Sequence, residues 1–357
     1  MIPAFDTRMP TGPNFSSTEV NAASTSLALV TSHFTANTSS GGGEELYREA
    51  VLRVGGEAEE FQAEQCQRAG AEIIADADDE RGREDDDDAG DDFAGTVHLI
   101  FQPAEEGGGG GKEMVEAGMM DRFAIASVYG LHNFPGLPVG QFAIRKGGLL
   151  ASVNEFEIVV TGKGGHAAMP HTTIDPVHIG AQIVTALQAI AGRNADPLES
   201  VVVSVTRFNA GEANNVIPQT ARLIGTIRSL KREVRDLALA NVRRIAEGIA
   251  ASLGGTAAVS DIGVPYPVTF NHDRETDIAA GVASKVAGER NVTTDCPPIM
   301  GGEDFAFMLE SRPGAFIFMG NGDTPFCHHP AYDFNDTALL HGAQLHVAIA
   351  RRRLPAG

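Results

Sequence analysis

The sequence has few cysteines, no long apolar run and few basic residues. Its three cysteines, Cys66, Cys296 and Cys327, are too few and too scattered for a disulfide framework, and no CxxC pair suggests a zinc knuckle or a redox dithiol. No eighteen consecutive apolar residues occur, and the N-terminus lacks the apolar segment of a signal peptide. These absences favour a reducing compartment, and we expect a cytoplasmic protein without a membrane partner.

Positive charge is scarce and unevenly distributed. The chain has 27 Lys and Arg against 47 Asp and Glu, a net charge of -20 at pH 7. Such a balance argues against a nucleic-acid partner, because binding a polyanion needs clustered Lys and Arg. Residues 1–92 alone hold 21 Asp and Glu against 6 Arg and no Lys. The acidity is therefore mostly a property of the N-terminal segment.

Residues 1–92 lack the periodic pattern of a packed domain. Residues 16–43 are rich in Ser, Thr, Asn and Ala and end in SSGGG, which is typical of a linker-like or poorly ordered segment. Residues 44–74 contain good helix formers, whereas residues 76–92 are almost wholly charged or small. We therefore predict an atypical acidic, disordered segment over 1–92, with a helix in 44–74, and globular sequence from Phe93.

From Phe93 onward, strand patterns alternate with helix patterns. A chain of 357 residues exceeds the usual single-domain size, so we expect two domains. Residues 152–261 show strand, helix, two strands, helix and strand, an order that suggests a compact inserted α+β domain. The flanking segments alternate as in an α/β sheet. We therefore predict one α/β domain formed by residues 93–151 and 262–357 and interrupted by residues 152–261.

Two glutamates and two histidines follow predicted strands. Glu105 and Glu106 come after the apolar run GTVHLIF, His132 ends the run YGLH, and His328 follows GAFIFMGNG. In α/β sheets, the loops at the carboxyl ends of the strands form the ligand-binding site. We therefore expect these four side chains to lie together at that edge of the sheet. Glu106, His132 and His328 suit zinc, manganese or cobalt, and Glu105 would take a proton from water. The alternative interpretations are a solvated helix start for the two glutamates, a hydrogen-bonded turn histidine for His132 and a surface residue for His328.

Five further residues are weaker candidates. His166 lies between glycines in TGKGGHAAMPH, where its imidazole could donate to an oxyanion, although a hairpin with incidental histidines is the alternative. Asn215 and Arg228 could bind a substrate carboxylate, but each is also typical of an ordinary surface or turn residue. Glu303 and Asp304 precede a predicted helix, and capping is the stronger interpretation for at least one of them.

A series of motifs carries a family resemblance from about Asp92 to the C-terminus. The strings QPAEEGGGGG, YGLHNFP, TGKGGHAAMPH, NVIP, GTIRS, MGGEDFAF and HHPAYDFND occur in this order. Together they resemble the hippurate hydrolase and N-acyl-amino-acid amidohydrolase family, of the aminoacylase and carboxypeptidase G-like superfamily. The resemblance implies a zinc-peptidase-like catalytic domain interrupted by a smaller, ferredoxin-like dimerisation lid.

The resemblance also implies an activity and roles for the candidate residues. It implies hydrolysis of the amide bond of N-acyl or N-aroyl amino acids by metal-activated water, in a homodimer with two divalent ions per site (Mn, Zn, Co or Ni). The implied roles are general base for Glu105; metal ligands for Glu106, His132 and His328; substrate contacts across the dimer for His166 and Asn215; and support of the site for Glu303.

One expected motif is missing. The family places a Cys and a His of its metal site in a segment resembling HACGHDGH, shortly before the strand that matches GTVHLIF. Here His33 and Cys66 are the only His and Cys before His98, and neither has neighbours like that motif. The alternative to an active enzyme is therefore a catalytically impaired or silent relative that dimerises and binds acyl amino acids.

Overall fold

The computed structural model describes residues 26–31, 72–75 and 94–355. The strands of the described chain are β1 (Ser26–Thr31), β2 (Glu72–Ala75), β3 (Thr96–Phe101), β4 (Ile125–Phe134), β5 (Phe142–Ala143), β6 (Gly147–Leu150), β7 (Ser152–Thr161), β8 (Gly165–His166), β9 (Val201–Ala210), β10 (Val216–Ile217), β11 (Thr220–Ser229), β12 (Thr256–Tyr266), β13 (Thr269–Asn271), β14 (Val292–Thr293) and β15 (Gly314–Gly320). Its α-helices are α1 (Gly110–Glu116), α2 (Met119–Arg122), α3 (Pro176–Leu187), α4 (Arg232–Ser252), α5 (Asp273–Ala287), α6 (Ala306–Ser311) and α7 (Thr337–Arg353). None of the described helices is both long enough and apolar enough to cross a bilayer.

Seven strands form the main sheet, in the order β14-β5-β15-β4-β1-β3-β2. Its four middle strands, β15, β4, β1 and β3, are mutually parallel. Parallel strands end at the same edge of a sheet, and ligand sites of α/β folds lie beyond that edge. The loops that follow β3 and β15 therefore meet the end of β4.

Strands β3, β4 and β15 of the main sheet are largely buried on both faces, as expected of a mostly parallel sheet. Successive residues of β15 enter different cores: Phe316 and Phe318 belong to one apolar cluster, while Ile317 belongs to the other. The first cluster includes side chains of α2 and α6, and the second includes side chains of α5 and α7. This packing confirms the predicted α/β class and fixes the strand ends that carry the candidate residues.

Two strands of the main sheet come from the segment that was expected to lack structure. The expectation of a linker-like segment over 16–43 is wrong at Ser26–Thr31, where SLALVT pairs with both β3 and β4. The expected helix in 44–74 is wrong at its end, because Glu72–Ala75 pairs with β3. Short apolar runs that become strands by pairing give little periodic signal of their own. The rest of residues 1–92 lies outside the described residues.

A second sheet has four antiparallel strands, in the order β12-β7-β11-β9. Helices α3 and α4 pack on one of its faces, over a core that includes Phe156, Ile158 and Leu223. The order β7, α3, β9, β11, α4, β12 is the predicted β-α-β-β-α-β order, with the short strands β8 and β10 added. β12 extends to Tyr266, past the predicted boundary at 261.

Candidate active site and metal centre

A cavity of about 440 Å³ lies where the carboxyl ends of the main-sheet strands face the second sheet. The main-sheet side supplies loops after β3 and β15 and the end of β4, while the second sheet supplies residues of β7, β11 and β12. Its lining includes the side chains of Glu105, Glu106, His132, Phe134, Val153, Glu155, Arg228, Tyr266, Phe318, Phe326, Cys327 and His328. Concave sites of this size between two layers are suited to small-molecule ligands.

The turn that carries the two glutamates is held by a tyrosine of the second sheet. The Tyr266 hydroxyl donates to the carbonyl oxygen of Glu105 at 2.6 Å and accepts the N–H groups of Gly107 and Gly109 at 3.1 and 3.2 Å. Burial, together with the negative charge of Asp304, raises the pKa of Tyr266 to about 12. The phenol therefore stays protonated at neutral pH and fixes the backbone beneath Glu105 and Glu106.

Glu106 and His328 lie close enough to share a cation. The distance between His328 Nε2 and Glu106 Oε1 is 3.6 Å, and the two side chains are 71% and 58% exposed. Two ligand atoms about 2.0–2.1 Å from a tetrahedral zinc ion are about 3.3 Å apart, so this spacing nearly matches a ligand pair. His328 has a positive φ of 70°, a left-handed conformation in which non-glycine residues are uncommon.

His132 has the hydrogen bond that orients a metal-binding imidazole. Its Nδ1 lies 2.5 Å from the carbonyl oxygen of Asn133, so the Nδ1–H tautomer is the one assigned. The other nitrogen, Nε2, then carries the lone pair that binds a metal ion, with the carbonyl fixing the ring. The ring also contacts Phe316 and Phe318 edge-on, at centroid distances of 6.2 and 6.5 Å.

The three predicted ligands fit a divalent ion in their chemistry and in the spacing of one pair. A carboxylate and two imidazoles are the donors that zinc, manganese and cobalt share. Within residues 26–31, 72–75 and 94–355, no three His, Cys, Asp or Glu side chains are already grouped tightly enough to hold an ion. His132 therefore lines the same cavity as the Glu106–His328 pair without completing a three-ligand cluster.

Glu303 lies behind the cavity wall rather than in it. The side chain is buried, and one oxygen accepts from Gln102 Nε2 at 2.6 Å and from the Phe305 N–H, at the start of α6, at 3.0 Å. Burial, with the nearby Glu105 as the next cause, raises the pKa of Glu303 from 4.5 to about 8. Asp304 accepts the Gly111 N–H at 2.7 Å. Gln102, which sequence reasoning missed, thus contacts a buried carboxyl group.

On the second sheet, one predicted residue lines the cavity and two do not. Arg228 of β11 is half-buried in the wall, where burial lowers the pKa of its guanidinium and Glu155 opposes that shift. His166 and Asn215 are exposed neighbours elsewhere: β8 pairs with β10, and the Ala167 N–H donates to the Asn215 carbonyl at 3.0 Å. Neither lines the cavity within a single chain.

Three phenylalanines form an aromatic wall that sequence reasoning missed. Phe134 contacts Phe318 at a centroid distance of 4.7 Å and Phe326 at 5.5 Å, the latter edge-on. Phe326 is 54% exposed although its ring is large and apolar. Phe134 and Phe326 each lie two residues from a candidate histidine, and Phe318 pairs with His132 on the neighbouring strand. Only the side-chain packing shows that the three rings form one apolar surface beside the metal-ligand candidates.

Most of the described chain is similar in sequence to a known protein family. A family model described as Peptidase family M20/M25/M40 matches residues 86–352. The chain is 41% identical over 256 residues to the N-acetylcysteine deacetylase of Bacillus subtilis, covering 72% of this chain and 66% of that protein. It is 37% identical over 262 residues to the hippurate hydrolase of Campylobacter jejuni, covering 73% of this chain and 68% of that enzyme.

A solved structure shows the same fold. The Bacillus subtilis YXEP protein, described as a dinuclear metal binding peptidase from the M20 family, superposes with a TM-score of 0.63 at 35% identity. That match covers 74% of this chain and 67% of the YXEP chain. The chain spans slightly less than two thirds of the length of the Bacillus subtilis N-acetylcysteine deacetylase. With the family model matching most of its length, this chain belongs to the peptidase family M20/M25/M40.

Proposed function

We propose that the chain is a metal-dependent amidohydrolase that cleaves the amide bond of N-acyl or N-aroyl amino acids. The observation that carries the proposal is one cavity that holds a carboxylate–imidazole pair at 3.6 Å, a second glutamate and an arginine on the opposite wall. The names of the relatives, a deacetylase of an N-acetyl amino acid and a hippurate hydrolase, agree with this chemistry.

Glu106, His132 and His328 would hold the divalent ion. When bound, the ion supplies Lewis acidity, which polarises the amide carbonyl and acidifies water. Glu105, next to Glu106 on the turn held by Tyr266, would take the proton from the attacking water and pass it to the leaving amine. The dinuclear description of the YXEP protein supports two ions per site.

Arg228 would bind the free carboxylate of the substrate. Its guanidinium lies in the cavity wall opposite the glutamates, and a half-buried guanidinium binds a carboxylate through charge-assisted hydrogen bonds. The acyl group would then lie against Phe134, Phe318 and Phe326, because the amide must be near Glu105. Orienting both ends of the substrate in this way contributes to the rate by holding the amide in a reactive position.

We also propose that residues 152–261 act as a dimerisation lid. His166 and Asn215 are exposed on β8 and the loop before β10, outside the cavity of their own chain. Polar residues placed in this way are available to complete the site of a second copy. In this proposal, the residues 93–151 and 262–357 form the catalytic domain, and His166 stabilises the oxyanion of the partner's substrate.

A direct assay tests the activity. The full chain would be supplied with Mn²⁺ or Zn²⁺ and incubated with N-benzoylglycine and N-acetyl amino acids, and the released amino acid would be quantified. We expect metal-dependent release that a chelator abolishes. Binding of the N-acyl amino acid by the metal-loaded chain without any release would instead support the second candidate.

That second candidate is a silent relative that binds acyl amino acids without hydrolysing them. The observation in its favour is the missing HACGHDGH-like segment, since only His33 and Cys66 precede His98 as residues of these types. A site that lacks two ligands binds metal more weakly and positions water less well. Equilibrium dialysis of acyl amino acids, run beside the activity assay, distinguishes the two functions.

A further inference from the structure

The second sheet places two opposite charges on the cavity wall. Arg228 lies on β11 and Glu155 on the adjacent strand β7, and both line the cavity. Glu155 is exposed, and its carboxylate makes no hydrogen bond or ion pair of 4 Å or less with any residue of the described chain. Glu157, two residues further along β7, differs because it is paired with Arg222.

The strand register explains why both charges line the same cavity. Val153 pairs with Arg228 and Glu155 pairs with Thr226, so Glu155 and Arg228 are diagonal neighbours on one face. Diagonal neighbours in an antiparallel pair have Cα atoms about 7–8 Å apart. The opposite face carries Phe156 and the other core residues under α3 and α4. The cavity is therefore lined by two charges of opposite sign on one face of the second sheet.

We propose that Glu155 determines specificity by favouring N-acyl amino acids whose side chain is cationic, as in lysine or arginine. The inference rests on the proposed function, in which Arg228 binds the α-carboxylate. From that anchor, an extended side chain of three or four methylene groups is long enough to span the roughly 7–8 Å between diagonal neighbours on the sheet. An anionic side chain would instead meet a like charge at Glu155, which is unfavourable.

The expected size of the preference follows from the exposure of Glu155. An exposed ion pair changes binding by a factor of about five at most, and a charge-assisted hydrogen bond away from water by a factor of ten or more. Glu155 is exposed, and it lines a cavity from which a bound ligand would displace water. We therefore expect roughly a fivefold to tenfold preference for a cationic over a neutral side chain.

Binding separates this preference from turnover. The full chain carrying Glu105→Gln and loaded with Mn²⁺ would be titrated in a calorimeter with N-benzoyl derivatives of arginine, leucine and glutamate. We expect affinity to fall in that order. Adding Glu155→Gln should remove most of the difference, and adding Glu155→Lys should reverse it. Glu157→Gln, on the same strand but outside the cavity, is the matched control and should leave the order unchanged.

The outcomes distinguish this proposal from the proposed function. If Glu155→Gln shifts the affinity of all three ligands equally, Glu155 only modulates Arg228 and the proposal is overturned. Absence of binding of the arginine derivative overturns it as well. Hydrolysis of N-benzoylglycine by the unmodified chain without any charge preference leaves the proposed function standing alone. A charge preference in a chain that hydrolyses nothing supports the Glu155 proposal and contradicts the proposed function.

Discussion

The two walls of the cavity are built by different kinds of sheet and carry different chemistry. The main-sheet wall presents Glu105, Glu106, His132 and His328 at the ends of parallel strands, where loops converge. The wall of the second sheet presents Arg228 and other residues from one face of antiparallel strands. Converging loops at strand ends bring together metal-ligand and base candidates from separate parts of the sequence. On the face of the second sheet, the pairing register of neighbouring strands decides which binding groups lie side by side. We infer that the first wall performs the reaction and the second selects the substrate.

The largest effect should come from removing the base on the main-sheet wall. Glu105→Gln keeps the shape of the side chain but removes the proton acceptor, so kcat should fall about a hundredfold to ten-thousandfold. Steady-state kinetics with N-benzoylglycine and metal analysis by mass spectrometry measure the two quantities. Glu113→Gln, an exposed carboxylate of α1, is the control. A loss of metal from Glu105→Gln in proportion to the loss of kcat would contradict the assignment of Glu105 as base.

The ligand pair comes next. His328→Ala leaves Glu106 without its partner at 3.6 Å. We therefore expect the affinity for Mn²⁺ or Zn²⁺ to fall about tenfold to a hundredfold. Calorimetric metal titration measures this change. His329→Ala tests the adjacent histidine, whose Nδ1 accepts the Ala331 N–H at 3.1 Å in a local turn. If both variants lost the same amount of metal affinity, His328 would not be a specific metal ligand.

A smaller effect is expected on the selecting wall. Arg228→Gln should raise KM for N-acyl amino acids about tenfold to a hundredfold and change kcat little, because it removes a charge-assisted contact with the carboxylate. Arg222→Gln, on the same strand but paired with Glu157, is the matched control. If kcat fell while KM stayed constant, Arg228 would belong with the reacting wall and the division between the walls would be wrong.

The smallest expected effect is on folding stability and comes from Glu303, the buried carboxyl group behind the main-sheet wall. In the unfolded chain the Glu303 carboxyl ionises near pH 4.5, whereas in the folded chain it keeps its proton until about pH 8. The unfolded state therefore gains stability over the folded state as pH rises through this window, so folding stability should fall from about pH 4.5 to 8.

Glu303→Gln tests this pH dependence because glutamine resembles the protonated carboxyl group. Melting temperatures of the chelated protein between pH 4.5 and 8 should decline less steeply in the variant than in the unmodified chain. Glu310→Gln removes a carboxylate of α6 that is 41% exposed and should leave the slope unchanged. A parallel decline in all three proteins would show that Glu303 is ionised in the folded chain at neutral pH.

Much of the main-sheet wall could be predicted from the sequence, because its residues follow apolar runs that are strands in the structure. His132 lies at the end of β4, and Glu105 follows β3, as their positions after apolar runs indicated. β1 was missed because its six residues lie in a Ser-, Thr- and Asn-rich stretch and form a strand only between two neighbours. A central strand that depends on pairing leaves a weak local signal.

The contacts behind and across the cavity could not be predicted, because they join residues far apart in the sequence. Tyr266 bonds to Glu105 across 161 positions, and Gln102 bonds to Glu303 across 201. Glu155 lies in a strand that was predicted, but its place on the cavity wall depends on which face of β7 looks away from α3 and α4. Register and packing, which one chain's periodicity does not encode, decide these roles.

Whether bound metal drives hydrolysis is tested most directly by a metal titration of the chelated chain, in which bound metal and the rate of amino-acid release from N-benzoylglycine are measured on the same samples. We expect the rate to rise in proportion to metal bound, and Glu106→Gln, which removes one ligand of the pair, to shift both curves to higher metal concentration. Metal that binds stoichiometrically while no amino acid is released at any concentration would contradict it.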